Sequence, residues 1–462
     1  MSESFANYDG SITASPRQLV HPETVEQLQA VLRDPAKYPG PVRAVGSYHS
    51  LTPCASSDGT MISTSRLNRI LSIDSAGMTL TAQGGVQVIE ASKALREHDL
   101  QLMTNIEIGN MTLGSAACCH TKDGLDGVEF GQVSSYVTRM KWVTPAGDLA
   151  EASETSNPGL LRMMRSSHGL CGVVYEVTLR IKPIEAVHFT YHPRPVDELT
   201  QEEVDHFIDS SEGLVAWTVG RTVVFQQRQR IDHPTIIGSL QAAVRRRLWN
   251  FGDAYAGHLV DEMIRNPRVR DAVQRGGFEL TKFLYSTLHL FGGITLLAPD
   301  KTIDYRGTPK EAKYAFTFWA FPRAQWLTAL RDYLDFADAY HARTGFRCNM
   351  PCGAYRVHRD TNGILSYTHD QETFSIDPIH ASTNDAEWHA FLRAFNEFAY
   401  ERGGIPLLNQ SPFVERKHVE AAYGDRWFEF SDWVRQCDPN RRMLNEFFAN
   451  LLSERKADAA SR

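Results

Sequence analysis

Val42-Arg-Ala-Val-Gly-Ser-Tyr-His-Ser-Leu-Thr-Pro53 is a short apolar run that stops at a glycine and passes into small polar residues around one histidine. Its Val-rich start predicts a strand over 42–45, ended by Gly46. Ser47, Tyr48, His49 and Ser50 then form a turn whose backbone N–H groups can converge on an anion. Two further glycine turns stand at strand ends downstream, Gly114-Ser-Ala-Ala-Cys-Cys-His-Thr-Lys-Asp-Gly124 and Gly169-Leu-Cys-Gly-Val-Val174. Neither a GxGxxG after an early strand nor a GxxxxGK[ST] occurs, so the two familiar nucleotide loops lack their signatures.

Around these turns the first 185 residues read as one compact unit of alternating helix and strand. His21-Pro-Glu-Thr24 suits a helix start, and Val25, Leu28, Val31 and Leu32 give that helix one apolar face. Short strands follow at 60–63, 70–73 and 78–81, then an amphipathic helix over 89–98. A hairpin follows at 137–149, and then the clearest strand, 173–181, ended by Lys182-Pro183. Beyond Pro183 the alternation of strands (314–321, 372–377) with helices (242–260, 326–342, 388–400) predicts a second α/β or α+β domain. The residues from Val414 to Leu452 read as helical, and 456–462 as a frayed tail.

The chain of 462 residues is long enough for two or three domains. Its 48 Lys+Arg against 55 Asp+Glu leave a net charge of -7, which excludes a generally basic nucleic-acid binder. Seven scattered cysteines do not make a disulfide scaffold. Cys118-Cys119 lack the spacing of a tetrahedral metal site, so no metal is expected. The start has no basic and apolar leader pattern, which predicts a cytoplasmic protein. The apolar stretch from Phe278 to Pro299 carries Glu279, Lys282 and His289; it reads as a buried helix rather than a membrane span, although a membrane surface or an entrance for apolar substrates is the sharper alternative.

Taken together the turns resemble a family. The 42–53 stretch, Ser57-Asp-Gly-Thr-Met-Ile-Ser, Leu67-Asn-Arg-Ile-Leu, Thr112-Leu-Gly-Ser-Ala-Ala, Val143-Thr-Pro-Ala-Gly-Asp and Gly169-Leu-Cys-Gly-Val-Val-Tyr-Glu-Val-Thr-Leu stand in the same order in the vanillyl-alcohol-oxidase superfamily. So does Cys437-Asp-Pro-Asn-Arg-Arg-Met-Leu-Asn-Glu-Phe-Phe near the end. The likeness is greatest to the aldonolactone and alditol oxidases, gulonolactone oxidase among them. It implies an α+β protein: a PCMH-type FAD-binding domain of two subdomains over 1–185, an α/β cap over 186–413, and a helical segment over 414–462 that packs back on the first domain. It implies FAD held by Gly46, Ser47, Tyr48, His49, Ser50, Gly114, Ser115, Cys118, Cys119, Thr121, Gly172 and Val174, with His49 bonded to the flavin 8α-methyl. Asn105 to Met111 contain no cysteine, so a second covalent bond is not expected.

The cap departs from the family. Where the sugar oxidases carry Glu-x-Arg, this chain reads Pro351-Cys-Gly-Ala-Tyr-Arg356, keeping the Arg but not the Glu. Where they carry His-Trp-x-Lys after Gly-Gly-x-Pro, it reads Gly403-Gly-Ile-Pro-Leu-Leu-Asn-Gln410. Loss of polar anchors predicts a substrate more apolar than a sugar or aldonolactone. Arg356, His358, Asn409 and Gln410 are the candidate catalytic side chains; residues 356 and 358 share one face of a strand, with Tyr355 on the other. The expected activity is an oxidase that passes hydride from a CH–OH carbon to the flavin and electrons to O2. The alternatives are a dehydrogenase, a tailoring enzyme acting on a nitrogen-bearing or aromatic substrate, and a flavin-binding module without catalysis.

Overall fold

The computed structural model describes residues 5–123, 129–248, 255–290, 293–309, 313–381 and 386–454; Gly124 and the 456–462 tail lie outside them, as do the side chains of Arg245–Arg247. Gln18–Val20, Thr60–Ser63 and Val42–Val45 pair in parallel, with Thr60–Ser63 in the middle. The helix Val25–Arg33, capped by Thr24, lays Leu28, Val31 and Leu32 against Val42 and Ile62 of that small sheet. A second, antiparallel sheet runs Leu149–Ser153, Val137–Val143, Val173–Pro183, Thr79–Gln83 and Ile70–Asp74, with Leu100–Leu102 on the far end of Val173–Pro183. The long strand thus joins most of this sheet, as its unbroken Val/Leu/Ile pattern requires.

After Pro183 the chain builds a larger sheet in the order Ile294–Leu297, Ala186–Pro195, Thr222–Ile231, Gly213–Val219, Cys352–Val357, Thr373–Ile376, Trp319–Pro322 and Ile405–Pro406. Every pairing in it is antiparallel, so the expected α/β cap is realised as an antiparallel sheet with helices. Both faces are covered. Leu214, Ala216, Phe225, Ala354 and Phe374 pack with Trp326 and Leu330 of the helix Arg323–Thr344 and with Phe391 and Phe395 of Ala386–Glu401. Val215, Trp217, Val224, Tyr355 and Val357 turn the other way, with Phe189, Ile294 and Leu296, toward the first domain. The stretch read as a buried helix divides differently: Pro267–Leu290 is one helix, Ile294–Leu297 is the edge strand, and Leu280 and Phe283 stand exposed on the helix.

Of the closing helices, Arg416–Tyr423 packs on Ile405–Pro406 of the cap and against Asp425–Cys437, and Glu446–Leu451 reaches the Pro53–Ala55 turn of the first domain. The seam is held at Arg43, which is buried and bonds only carbonyls: Cys54 O through Nε and Nη2 (3.1 and 2.7 Å), His168 O (2.5 Å), Gly169 O (3.3 Å) and Met443 O (3.0 Å). Asn445 Nδ2 adds bonds to Pro53 O and Ser56 O at 3.0 and 2.9 Å, and Arg442 O accepts from Val42 N at 2.7 Å. A planar five-donor fork meets four carbonyls in a way that an ammonium cannot. Arg43→Ala is therefore expected to cost about 3 kcal/mol by stranding buried carbonyls, and Arg43→Lys to recover less than half of it. Denaturant titration of the three proteins measures both.

Candidate active site

Two cavities meet beneath the cap. The first, about 940 Å³, is walled by the three glycine turns. Gly46, Ser47, Tyr48, His49, Ser50, Gly114, Ser115, Cys118, Cys119, Gly172 and Val174, all expected to hold the cofactor, line it together. Thr121 does not: its hydroxyl accepts from Val133 N at 3.0 Å, and it lines the second cavity. The sequence reading missed Arg43, Thr64, Gly84 and His168, which line the first cavity as well. Gly84-Gly85 was the available signal, since two glycines after a strand mark close backbone approach.

The backbones here leave no room for side chains. A Cβ on Gly46 would lie 2.3 Å from Thr112 Oγ1, one on Gly84 2.4 Å from Val174 O, and one on Gly85 1.9 Å from Thr64 O. Gly172 has φ +132°, and its Cβ would meet Val143 O at 2.2 Å. Tyr48 also takes a left-handed φ of 53°, which turns the Gly46–Ser50 segment sharply. Asn409 and Gln410 line the cleft, and their side-chain oxygens, like that of Asn110 beside His49, are buried with no hydrogen-bond partner within the protein. A cradle of backbone with inward-facing amide oxygens fits a ligand that carries both phosphates and a ring with N–H groups.

His49 sits in this cleft, stacked on Tyr8 with centroids 4.8 Å apart. Burial, then the nearby Lys313 charge, pull its pKa down to about 4 against the bond to Asn110. Its Nε2 meets the Asn110 amide, so Nδ1 is the ring nitrogen that Asn110 leaves unengaged.

The second cavity, about 1250 Å³, lies between the cap sheet and the first domain. Ile106, Phe189, Trp217, Ile294, Leu296 and Ile379 make it largely apolar, and Gln410, Ile108 and Met111 border both cavities. Glu107, Lys122, Lys301, Asp377, Tyr305, Tyr314 and Tyr355 line it too, so charged and phenolic groups interrupt the apolar wall. Tyr355 Oη donates to Glu107 Oε2 at 3.1 Å, and burial, then the Glu107 charge, push the Tyr355 phenol well above its usual range, so it stays protonated. Lys122 pairs with Asp377, its ammonium 4.3 Å from the Phe316 ring centroid and 4.7 Å from that of Tyr355. Beside it Asp123 pairs with Lys301 and approaches Arg228 to 3.6 Å.

Asn409 and Gln410 line the first cavity and Gln410 the second as well, whereas Arg356 and His358 line neither. The strand Cys352–Val357 gives Tyr355 to the cavity, packs Val357 in the core on that same side, and turns Ala354 to the helix-covered face. Arg356 shares that second face and binds Glu372 at 2.8 Å, with His358 at 3.4 Å. Burial alone would raise the Glu372 carboxyl; the bonds from His358 and Arg356 outweigh it and hold the group at about 2. Glu372 also reaches Arg323, so these residues tie a strand to a helix. The parity of residues 356 and 358 was read correctly, but the face that meets the cavity is the other one.

Among the described residues no group of three or more His, Cys, Asp or Glu could hold a metal ion, and no helix is long and apolar enough to cross a membrane.

Residues 16–153 match the model of an FAD binding domain, and residues 177–451 match that of D-arabinono-1,4-lactone oxidase. L-gulono-1,4-lactone dehydrogenase of Mycobacterium tuberculosis is 23% identical over 98% of this chain and 100% of its own length. L-gulonolactone oxidase of Scyliorhinus torazame is 22% identical over 97% of this chain and 98% of its own. Among solved structures, a His121Ala mutant of cholesterol oxidase from Brevibacterium sterolicum superposes with a TM-score of 0.76 at 14% identity, covering 98% of this chain and 97% of that one; this likeness is one of fold.

Two predictions follow from the cleft and its surroundings. Gly172→Ala is expected to abolish flavin retention, read as the ratio of flavin to protein absorbance after gel filtration, because the added methyl has no space and the φ is strained. Burial draws His120 down to about 4 and His380 to about 3 from 6.5. The folded state keeps both neutral, so stability is full above pH 6.5 and falls as the unfolded chain takes up protons below it. Each group removes on the order of 2 kcal/mol by pH 5. The thermal midpoint should drop between pH 7 and pH 5, and His380→Gln should flatten that drop.

Proposed function

Because the chain belongs to the D-arabinono-1,4-lactone oxidase family and carries its FAD-binding domain, we propose that this FAD-dependent oxidoreductase oxidises a secondary or primary alcohol on a substrate more apolar than an aldonolactone, with O2 taken to H2O2. The apolar second cavity, which opens at Gln410 onto the flavin cleft, is the observation that carries this reading. The curated relatives are named for gulonolactone and the solved neighbours for cholesterol. The apolar part of the lining favours a substrate closer to the second kind, and Leu407 and Leu408, where the sugar oxidases have His and Trp, pack into the core and give the site no polar anchor.

The glycine turns, Asn110 and Asn409 would hold FAD, with His49 Nδ1 as the point of covalent attachment to the 8α-methyl. When bound, FAD supplies the two-electron acceptor for a hydride from the substrate carbon. The chain's part is to position and to move a proton. Gln410 at the junction orients the substrate hydroxyl. Tyr355 Oη, already donating to Glu107, accepts the hydroxyl proton as its own passes to the Glu107 carboxylate. Lys122 and Asp377 put an ion pair on the cavity wall, with the ammonium beside the Tyr355 ring.

A peroxide-coupled screen across aldonolactones, polyols, aromatic alcohols and sterol alcohols tests the substrate class; turnover confined to aldonolactones would overturn it. Anaerobic reduction followed by slow reoxidation in air would turn the reading to a dehydrogenase. Tyr355→Phe is expected to lower kcat by about 10²-fold or more while flavin content stays at the wild-type level. Flavin that leaves the acid-precipitated polypeptide entirely would remove the His49 bond.

A further inference from the structure

The helices between the cap strands face the wrong way for a protein surrounded by water. On Pro267–Leu290, Val269, Val273, Leu280 and Phe283 fall at helical spacing on one stripe, and all are exposed, from 43% for Val273 to 63% for Phe283. Its Asp271 instead turns to the protein, where it meets His341 at 3.2 Å and Arg347 at 3.4 Å. Ile236–Leu248 repeats the pattern: Ile236 (91%), Ile237 and Leu240 are exposed, while Ser239 Oγ donates to Thr295 O on the sheet and Ala242 lines the second cavity. Met263, at the end of Tyr255–Met263, is 75% exposed as well. Of the large apolar side chains that stand exposed among the described residues, only Leu71, Met78 and Leu149 lie elsewhere.

Charge says what covers this face. Residues 236–290 hold eight Lys or Arg against five Asp or Glu, a balance of +3 in a chain of −7. Arg265 and Arg268 are exposed beside the stripe. Helices with apolar residues outward and cations flanking them match an interface of acyl chains below anionic headgroups. A second copy of this chain docked symmetrically on this face would set one positive patch against the other.

We propose that the helices Ile236–Leu248, Tyr255–Met263 and Pro267–Leu290 form a docking surface for an anionic lipid membrane, lying in the headgroup layer without spanning it. The surface is also the outer layer over the second cavity, to which Ala242 and the strand Ile294–Leu297 contribute wall. An apolar substrate drawn from the lipid would then travel a short way; the docking itself does not depend on which substrate is used.

Flavin-loaded full chain is sedimented with vesicles of phosphatidylcholine alone and with vesicles of one part phosphatidylglycerol to three parts phosphatidylcholine. Binding to the anionic vesicles, weakened by high salt, is expected, with pure phosphatidylcholine at least about ten-fold weaker. Leu280→Gln/Phe283→Gln and, separately, Arg265→Gln/Arg268→Gln should each weaken binding by about ten-fold while the flavin content and thermal midpoint stay as in the parent. Failure to bind either vesicle, or binding unchanged in both variants, overturns the proposal. So does a solution dimer that the Leu280→Gln/Phe283→Gln variant converts to monomer, which would give the face to a second copy.

Discussion

The cap sheet is buried on both faces, and this fixes what every residue in its strands can do. Side chains alternate along a strand, so one parity must satisfy the helices and the other must form the cavity wall. Gly213–Val219 shows the rule plainly: Leu214 and Ala216 go to the helix side, Val215 and Trp217 to the cavity side. Because the antiparallel pairing sets Val215 opposite Tyr355 and Ala216 opposite Ala354, the neighbouring strand has no freedom to present Arg356 inward. An arginine on the helix side must find a carboxylate, and Glu372 supplies it. The character of the substrate cavity is thus a consequence of register, set across several strands at once.

The flavin cleft rests on a different constraint, close approach of backbone. Gly84, Gly114 and Gly46 bring three turns within van der Waals contact of one another, so the site is made mostly of peptide groups. Peptide groups so crowded need support from outside the cleft, and Arg43 provides it by collecting carbonyls from the Pro53–Ala55 turn, the His168–Gly169 turn and the closing segment. The chain's last helices therefore belong to the flavin site even though none of their side chains line it.

How legible this was in the sequence follows from range. The strands at 42–45, 60–63 and 173–181 and the three glycine turns are written in local composition, and the turn residues that line the first cavity came with them. Thr121 was placed one cavity away from its position because the order of residues along a loop does not say where the loop leaves the cleft. His358 was chosen over Tyr355 from strand parity alone, which says which residues share a face but not which face looks inward. That second fact needs the pairing partner, more than a hundred residues away. The Phe278–Pro299 stretch misled for a related reason: an amphipathic pattern reveals a stripe, and burial of the apolar stripe is an assumption that Pro267–Leu290 reverses.

The least legible feature is the clasp between the two domains. Lys122 and Asp123, adjacent on a loop of the first domain, carry opposite charges, and each is met by the opposite charge from the cap, Asp377 and Lys301. All four side chains are largely buried. Burial lifts the Asp123 and Asp377 carboxyls, and the facing ammonium groups oppose that lift. Such pairs add little net stability, since desolvation offsets most of their attraction. Their value lies in what they forbid. A cap shifted by one residue on the flavin domain would bring like charges together in a dry interface, at a cost of several kcal/mol for each unpaired ion. One dipeptide of alternating sign thereby selects a single seating of the cap, and with it the placement of Tyr355 and Gln410 over the flavin cleft.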